Sequence, residues 1–314
     1  MPATEIENNG IGCQGPMPVD APAMGLPEGF LGEVATQQVA QPATTTPATE
    51  RVYRHRLPVR LGHWLNALCL FILIMSGLQI FNAHPALYWG ERSDRDRAFL
   101  SIQGVRNESG ELRGVTTVGA SAFDTTGVLG ASGGERRAFP SWATLPGSRW
   151  LAMGRQWHLL FAWVFVINGL LFWLYSIVSR HLTRDLLPTA QDWRGIGRDL
   201  VNHLRFRHPS GEAAKRYNVL QKLAYTGVAF GLAPLIVLTG LTMSPTVDAG
   251  YPFLLDLFGG RQSARSIHFL ACAAFVGFIV VHLTMVATTG LRNNLRSMLT
   301  GWFLIQREDS RHGS

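Results

Sequence analysis

Four apolar stretches constrain the fold of this chain more than any other feature. Each exceeds about 18 residues, the length that marks a candidate membrane-spanning helix. The stretches are 61–81, 157–178, 223–243 and 267–289. They explain why 47% of the 314 residues are apolar while only 16% are charged, against about 25% charged residues in an average soluble protein. The sequence therefore predicts an all-α fold, a bundle of four helices in a lipid bilayer.

Basic residues flank the predicted spans and form no separate basic domain. The formal charge of +7 is therefore explained by membrane topology, and we expect no nucleic-acid partner. Arginines cluster before the first span, between the second and third, and after the fourth, and the positive-inside rule assigns such segments to the cytoplasm. We expect a multi-pass protein of a bacterial inner membrane with both termini cytoplasmic. The connection 82–154 also holds arginines, but long loops are translocated largely regardless of charge.

The remaining segments divide the chain into three parts. Residues 1–50 hold no Lys or Arg and are rich in Pro, Ala and Thr, which predicts a disordered acidic extension. Residues 51–304 form the predicted membrane domain with its outer loop 82–154, and residues 305–314 form a cytoplasmic tail. Two amphipathic helices are predicted to lie on the inner membrane surface. Their apolar faces are Trp193, Ile196, Leu200 and Leu204, and Leu291, Leu295, Met298 and Trp302.

Four histidines fall within or at the edge of the spans, where an ionisable side chain indicates a function. They are His63, His158, His268 and His282. His268 and His282 share one face of the fourth span, about 21 Å apart along its axis. Because successive spans run in opposite directions, His158 matches the depth of His268. His63, at the very start of its apolar stretch, matches the depth of His282 more loosely. Each pair is predicted to supply two axial imidazole ligands to one haem. A packing or interfacial role is the alternative for any single histidine.

An arginine precedes three of these histidines by three positions, one helical turn nearer to water. Arg60, Arg155 and Arg265 are predicted to pair with haem propionates, because a guanidinium binds a carboxylate well. The alternative is that these arginines mark helix ends by extending to the interface. The sequence contains no Cys-x-x-Cys-His motif, so haem would be held without covalent attachment.

These residues resemble the membrane di-haem cytochrome b family, which includes formate dehydrogenase gamma subunits, nickel–iron hydrogenase cytochrome subunits and thiosulfate reductase cytochrome b subunits. The resemblance covers residues 51–304. It is closest to the thiosulfate reductase type in Arg60-Leu-Gly-His63-Trp64, Met75-Ser-Gly77-Leu-Gln79 and His84-Pro-Ala-Leu-Tyr88-Trp89-Gly90. It implies a four-helix bundle with two non-covalent haem b groups, held by the same histidine pairs, that carries electrons between membrane quinone and an extracytoplasmic enzyme.

The resemblance also implies where the partners bind. The segment Tyr217-Asn218-Val-Leu-Gln221-Lys222 is similar to the segment that borders the quinone pocket of gamma subunits, so Asn218 would donate a hydrogen bond to a quinone carbonyl. A helix cap is the alternative role for Asn218. The redox enzyme would be molybdopterin-containing or hydrogenase-like. The chain would then be an electron-transfer subunit of an oxidoreductase complex rather than a stand-alone enzyme.

Two other classes of protein remain open from the sequence. A multi-pass transporter would use membrane histidines to relay protons or bind a metal, but it predicts acidic partners or further polar residues within the spans, and the sequence shows few. A haem-free membrane anchor, with histidines that only pack, predicts a colourless protein. A zinc site is disfavoured because the sequence has no His-Glu-x-x-His motif.

Overall fold

The structure is a computed structural model that describes residues 49–180 and 219–306, with a few single positions between them. Its four long helices are α1 (Leu57–Phe81), α2 (Leu151–Val178), α3 (Val219–Thr242) and α4 (Arg261–Thr288). Each is long and apolar enough to cross a membrane, so the four predicted segments lie in helices of spanning length. The helices begin four to six residues before the predicted bounds. Their first turns hold polar or charged residues, which an apolar criterion excludes.

The helices pack mainly as two hairpins, α1 with α2 and α3 with α4. In the first hairpin, Gly154 near the start of α2 packs on Gln79 near the end of α1. Farther along, Asn168 of α2 donates to the carbonyl of Gly62 near the start of α1, at 3.0 Å. Residue numbers rise along one helix as they fall along the other, so α1 and α2 are antiparallel.

Helix α3 contains a π turn at Val228–Leu232, just before Pro234. Proline lacks the N–H that the helix requires and crowds the preceding turn, which explains a local widening. The indole N–H of Trp173 in α2 donates to the carbonyl of Ala229 at 3.0 Å, and its ring stacks on Phe230. The neighbouring helix therefore satisfies a backbone group of the interrupted segment, as a spanning helix requires.

Strands occur at both ends of the described residues and in the connection between α1 and α2. They are β1 (Thr49–Tyr53), β2 (Ala86–Leu87), β3 (Leu100–Arg106), β4 (Leu112–Val118), β5 (Ser121–Asp124), β6 (Ala131–Ser132), β7 (Glu135–Arg136) and β8 (Trp302–Gln306). Strands β2 to β5 form an antiparallel sheet in chain order, and β6 pairs with β7. The all-α prediction is therefore wrong for this connection. Burial alternates along β4, which is the strand period, and a search for long apolar runs does not detect that period.

Glycines allow the Gly-rich insert 104–134 to pack in direct contact with the strands. At Gly114 of β4, a Cβ would lie 1.9 Å from the carbonyl oxygen of Leu129. At Gly130, which has a φ of +79°, a Cβ would lie 2.4 Å from the carbonyl oxygen of Gln103 in β3. A side chain at either position would separate these segments, so the glycine content of the insert is a packing requirement.

The sheet is attached to the spans by a small apolar core and a buried arginine. The core residues are Phe81, Leu87, Ile102 and Ala138. The Arg137 side chain is 3% exposed and donates to the carbonyls of Phe139 (2.7 Å) and Gly147 (2.9 Å). It also donates to Thr144 Oγ1 (2.8 Å) and to Gln79 Oε1 (3.2 Å). Because Gln79 lies in the last turn of α1, Arg137 joins the connection to the first span.

Helix α5 (Leu291–Thr300) follows α4 and lies next to the antiparallel pair of β1 and β8. Its polar residue Asn294 packs on the protein and donates to the carbonyl of Val286 at 3.3 Å. Its exposed apolar side chains are Leu291, Leu295 and Leu299. A helix with an exposed apolar face suits a membrane surface, which is the location predicted for the second amphipathic helix. Trp302, which is predicted to belong to the same face, lies in β8 instead. The first predicted amphipathic helix is mostly outside the described residues, and so is the extension 1–50 apart from its last two residues.

Candidate functional site

The structure brings the four membrane histidines together as two pairs. The ring centres of His158 in α2 and His268 in α4 are 6.3 Å apart, and those of His63 in α1 and His282 in α4 are 6.2 Å apart. These are the pairs expected from depth, and α4 contributes one ring to each. We name His158 with His268 the loop-side pair, because it lies near the span ends joined by the connection. His63 with His282 is the terminal-side pair.

The ring separations fit two imidazoles that bind one metal ion. A metal–nitrogen bond is about 2.0–2.1 Å long, and an imidazole nitrogen lies about 1.1 Å from its ring centre. Two rings on opposite sides of one metal ion therefore have centres about 6.3 Å apart. Aromatic rings in direct contact have centres about 4.5–7 Å apart, so the spacing permits a metal without requiring one. A metal is therefore supported by this spacing only together with the polar environment of the rings.

Hydrogen bonds orient the rings of the loop-side pair. Nδ1 of His158 lies 3.1 Å from Oγ of Ser76 in α1. Nδ1 of His268 lies 3.1 Å from Oγ1 of Thr239 and 3.0 Å from the carbonyl oxygen of Ile236, both in α3. A ring whose Nδ1–H donates a hydrogen bond presents the lone pair of Nε2 to a metal. Both loop-side rings therefore have the polarity of an axial haem ligand.

The terminal-side pair has a different environment. Nδ1 of His63 is buried without a hydrogen-bond partner in the described part of the chain. Trp64 lies edge-on to His63, with ring centres 5.3 Å apart, and Phe278 stacks on His282 at 5.7 Å. A buried polar atom without a partner needs a physical explanation. The described residues supply no such partner, and it is the two facing rings, with centres 6.2 Å apart, that are compatible with a haem.

A phenylalanine separates the two pairs. Phe275 lies midway between His268 and His282 in α4, is 2% exposed, and packs edge-on against Phe165 of α2 with ring centres 6.4 Å apart. Both phenylalanines lie seven residues beyond a loop-side histidine. The space between the histidine pairs is therefore filled by apolar rings, and α2 and α4 are held together there.

Two of the three arginines predicted to bind propionates have backbone partners. The Arg60 guanidinium donates to the carbonyls of Met298 and Leu299 at the end of α5. The Arg265 guanidinium donates to the carbonyl of Ala86 at 2.9 Å and to that of His84. These contacts connect each span to an adjacent segment, a role that spacing within a helix does not indicate. Propionate binding by the three arginines remains a prediction.

Arg155 is exposed and has no hydrogen-bond or ionic partner among the described residues. The predicted quinone contact Asn218 lies outside the described residues. No cluster of three or more His, Cys, Asp or Glu side chains occurs in ranges 49–180 and 219–306. Two imidazoles per centre suit haem, which needs only axial ligands from the protein, better than a metal held by side chains alone.

A cavity of about 460 Å³ between the sheet and the loop-side span ends was not indicated by the sequence. Its lining residues include Arg95, Arg136, Arg137 and Arg149, and none is acidic. Burial and the nearby charges of Arg265 and Arg95 lower the pKa of His84, which also lines the cavity. The charged side chains that line this cavity are therefore all basic. The arginines come from distant parts of the connection, so only the folded sheet brings them together.

Four helices long enough to span a membrane, with α4 contributing one histidine to each of two pairs, are features of a membrane cytochrome of the b type. The chain belongs to the prokaryotic cytochrome b561 family, whose sequence profile matches residues 54–301. The predicted membership of a membrane cytochrome b family is thus confirmed. The family identifies the chain as a membrane haem protein of electron transport.

A relative from Azospira oryzae is 29% identical over 231 residues, which cover 73% of this chain and 87% of that protein. Its name describes it as a candidate protein-methionine-sulfoxide reductase subunit, YedZ1. No solved structure matches the chain.

Proposed function

We propose that this chain is a di-haem b-type cytochrome subunit that passes electrons between membrane quinone and an extracytoplasmic redox enzyme. His158 and His268 would hold one haem b, and His63 and His282 the other. Bound haem supplies one-electron redox chemistry, and the protein controls its orientation, its access to water and its reduction potential. One observation carries this proposal: the histidine rings face each other in two pairs, with centres 6.3 Å and 6.2 Å apart, at two depths of one four-helix bundle.

The spans give each centre a protected position. The imidazoles would hold the haem groups, while Phe275 and Phe165 keep the region between the histidine pairs apolar. Burial and hydrogen bonding to the ligands are among the means by which a protein sets haem potentials. Arg155 is proposed as a propionate partner, because its guanidinium has no competing partner among the described residues.

We propose that the redox enzyme binds at the loop side, on the extracytoplasmic face. The clustering of arginines near the termini and in the second connection supports this orientation. The arginine-lined cavity offers positive charge to an acidic protein surface. The name of the Azospira protein supports a reductase of methionine sulfoxide in proteins as the partner, within the broader class of molybdopterin-containing or hydrogenase-like enzymes.

We place quinone exchange at the terminal side, near the cytoplasmic surface, where protons are available for quinone chemistry. Asn218 directly precedes α3 in the sequence and is proposed to donate a hydrogen bond to a quinone carbonyl. A neutral hydrogen bond contributes about 1 kcal/mol. Loss of this contact should therefore slow quinol-linked haem reduction about fivefold.

Anaerobic addition of decylubiquinol to the purified chain in liposomes tests this proposal, with the b-type absorbance as readout. The quinol should reduce haem in the parent chain, more slowly in Asn218→Ala, and at the parental rate in Asn82→Ala. Asn82 is a matched amide that bonds Phe139 on the loop side. All three proteins should be reduced equally by dithionite. Failure of quinol to reduce the parent haem would reject the quinone link, whereas a parental rate in Asn218→Ala would reject only the assigned contact.

A further inference from the structure

The two loop-side histidines are held by hydroxyl groups in equivalent positions on α1 and α3. Ser76 Oγ lies 2.7 Å from the carbonyl oxygen of Ile72 and 3.1 Å from Nδ1 of His158. Thr239 Oγ1 lies 2.8 Å from the carbonyl oxygen of Leu235 and 3.1 Å from Nδ1 of His268. Each hydroxyl therefore lies between a carbonyl four residues earlier in its own helix and an imidazole of the next helix.

Counting protons determines the direction of these hydrogen bonds. A serine or threonine hydroxyl has one proton, and both hydroxyls donate theirs to the carbonyl oxygen four residues earlier in their own helix. The imidazole Nδ1–H must then donate to the hydroxyl oxygen. The carbonyl oxygen of Ile236, three residues before Thr239, also accepts from the His268 ring. Both rings are therefore protonated at Nδ1, with the Nε2 lone pair available.

The same two helices leave space for the ring edges. Gly77 and Gly240 directly follow the hydroxyl residues. A Cβ at Gly77 would lie 3.4 Å from Cε1 of His158, and one at Gly240 would lie 3.2 Å from Cε1 of His268. A hydroxyl residue followed by glycine thus provides a hydrogen-bond acceptor for Nδ1 and clearance for the neighbouring ring carbon. The arrangement occurs once in each hairpin.

The terminal-side pair lacks this support, since Nδ1 of His63 is buried without a partner in the part of the chain that the structure describes. A hydrogen bond from Nδ1–H to an acceptor makes an imidazole a more basic ligand. A more basic ligand favours the ferric state over the ferrous state and lowers the reduction potential. The structure therefore distinguishes the two centres chemically.

We propose that Ser76 and Thr239 are positioning residues for the loop-side haem. They fix the Nδ1–H tautomer of His158 and His268, aim Nε2 at the iron, and lower the potential of this centre relative to the terminal-side centre. This inference rests on the proposed function, because it requires haem at the loop-side pair. It goes beyond that function because it attributes the difference in reduction potential between the two centres to two hydroxyl groups.

Redox titration of purified Ser76→Ala and Thr239→Val tests the inference, with haem content measured on the same samples. The His282→Ala background retains only the loop-side centre, so one midpoint potential is followed. Each variant should keep its haem and shift this potential in the positive direction, and the double variant should shift it further. In the parent background, the terminal-side potential should not move.

Conservative exchanges and a serine elsewhere in the spans separate positioning from general packing. Ser76→Thr and Thr239→Ser keep the hydroxyl and should retain the parental potential. Ser176→Ala removes another fully buried serine, one with no partner in the described structure, and should change neither centre. Parental loop-side potentials in both Ser76→Ala and Thr239→Val would overturn the inference and leave the proposed function intact. A parent chain without haem would instead overturn the proposed function.

Discussion

Gly77 and Gly240 illustrate how single residues set the space around the loop-side imidazoles. The gap is tighter at Gly240, where a Cβ would lie 3.2 Å from the His268 ring, than at Gly77, where the distance to the His158 ring would be 3.4 Å. His268 is also held by Thr239 and Ile236. Its ring therefore cannot move away from a new methyl group without weakening hydrogen bonds.

We predict that Gly240→Ala reduces the haem content of the loop-side centre, whereas Gly277→Ala does not. Alanine favours a helix over glycine by about 1 kcal/mol, so neither change should unfold its span. Gly277 in α4 has open space around its Cα and is the matched control. Haem content and the absorption spectrum of each purified variant provide the measurement. Full haem occupancy with unshifted potentials in Gly240→Ala would show that the close approach has no role.

The connection between α1 and α2 is an element with its own core and its own anchor. Arg137 supplies the anchor, because its guanidinium donates to four neutral acceptors and one of them, Gln79, belongs to α1. Hydrogen bonds from a charged group contribute about 1.5–3 kcal/mol each, and a neutral acceptor left buried without a donor costs about 1–3 kcal/mol. The attachment of the sheet to the spans therefore depends strongly on this side chain.

We predict that Arg137→Met destabilises the connection by about 3 kcal/mol or more. Hydrogen exchange of β3 and β4 should accelerate, while α1 to α4 retain their helical signal. Arg113→Met is the control, since Arg113 is half exposed and forms surface ion pairs with Glu111 and Asp124, which contribute at most about 1 kcal/mol. Equal exchange in the two variants would refute an anchoring role for Arg137.

The elements differ in how far the sequence predicts them. Long apolar runs predict the spans, because a bilayer requires about 20 apolar residues in a helix. The depths of the histidines along these spans predict the pairs. The strands of the connection also have a sequence signal, which is the alternation of buried and exposed residues in β4 and the glycines of the insert. This signal is shorter and weaker than the apolar runs of the spans. The carbonyl partners of Arg60 and Arg265 cannot be predicted from local sequence, because they lie 179 to 239 residues away in the chain.

The molecule as a whole combines two similar hairpins with one histidine pair that breaks the similarity. Each hairpin has a hydroxyl residue and a glycine on its first helix, and an Arg-x-x-His sequence on its second: Arg155 to His158, and Arg265 to His268. The loop-side pair joins the equivalent helices α2 and α4. The terminal-side pair joins α1 and α4 instead, so the two centres have different surroundings within one bundle.

The central claim is that this bundle holds two haem groups, one at each histidine pair. Haem b quantified per polypeptide, together with the reduced-minus-oxidised spectrum, tests it most directly. We predict two haems in the parent chain, one in His268→Ala, one in His282→Ala, and two in His84→Asn, which changes a histidine outside the spans. A parent chain with fewer than two haems, or a span variant that keeps both, would contradict the claim.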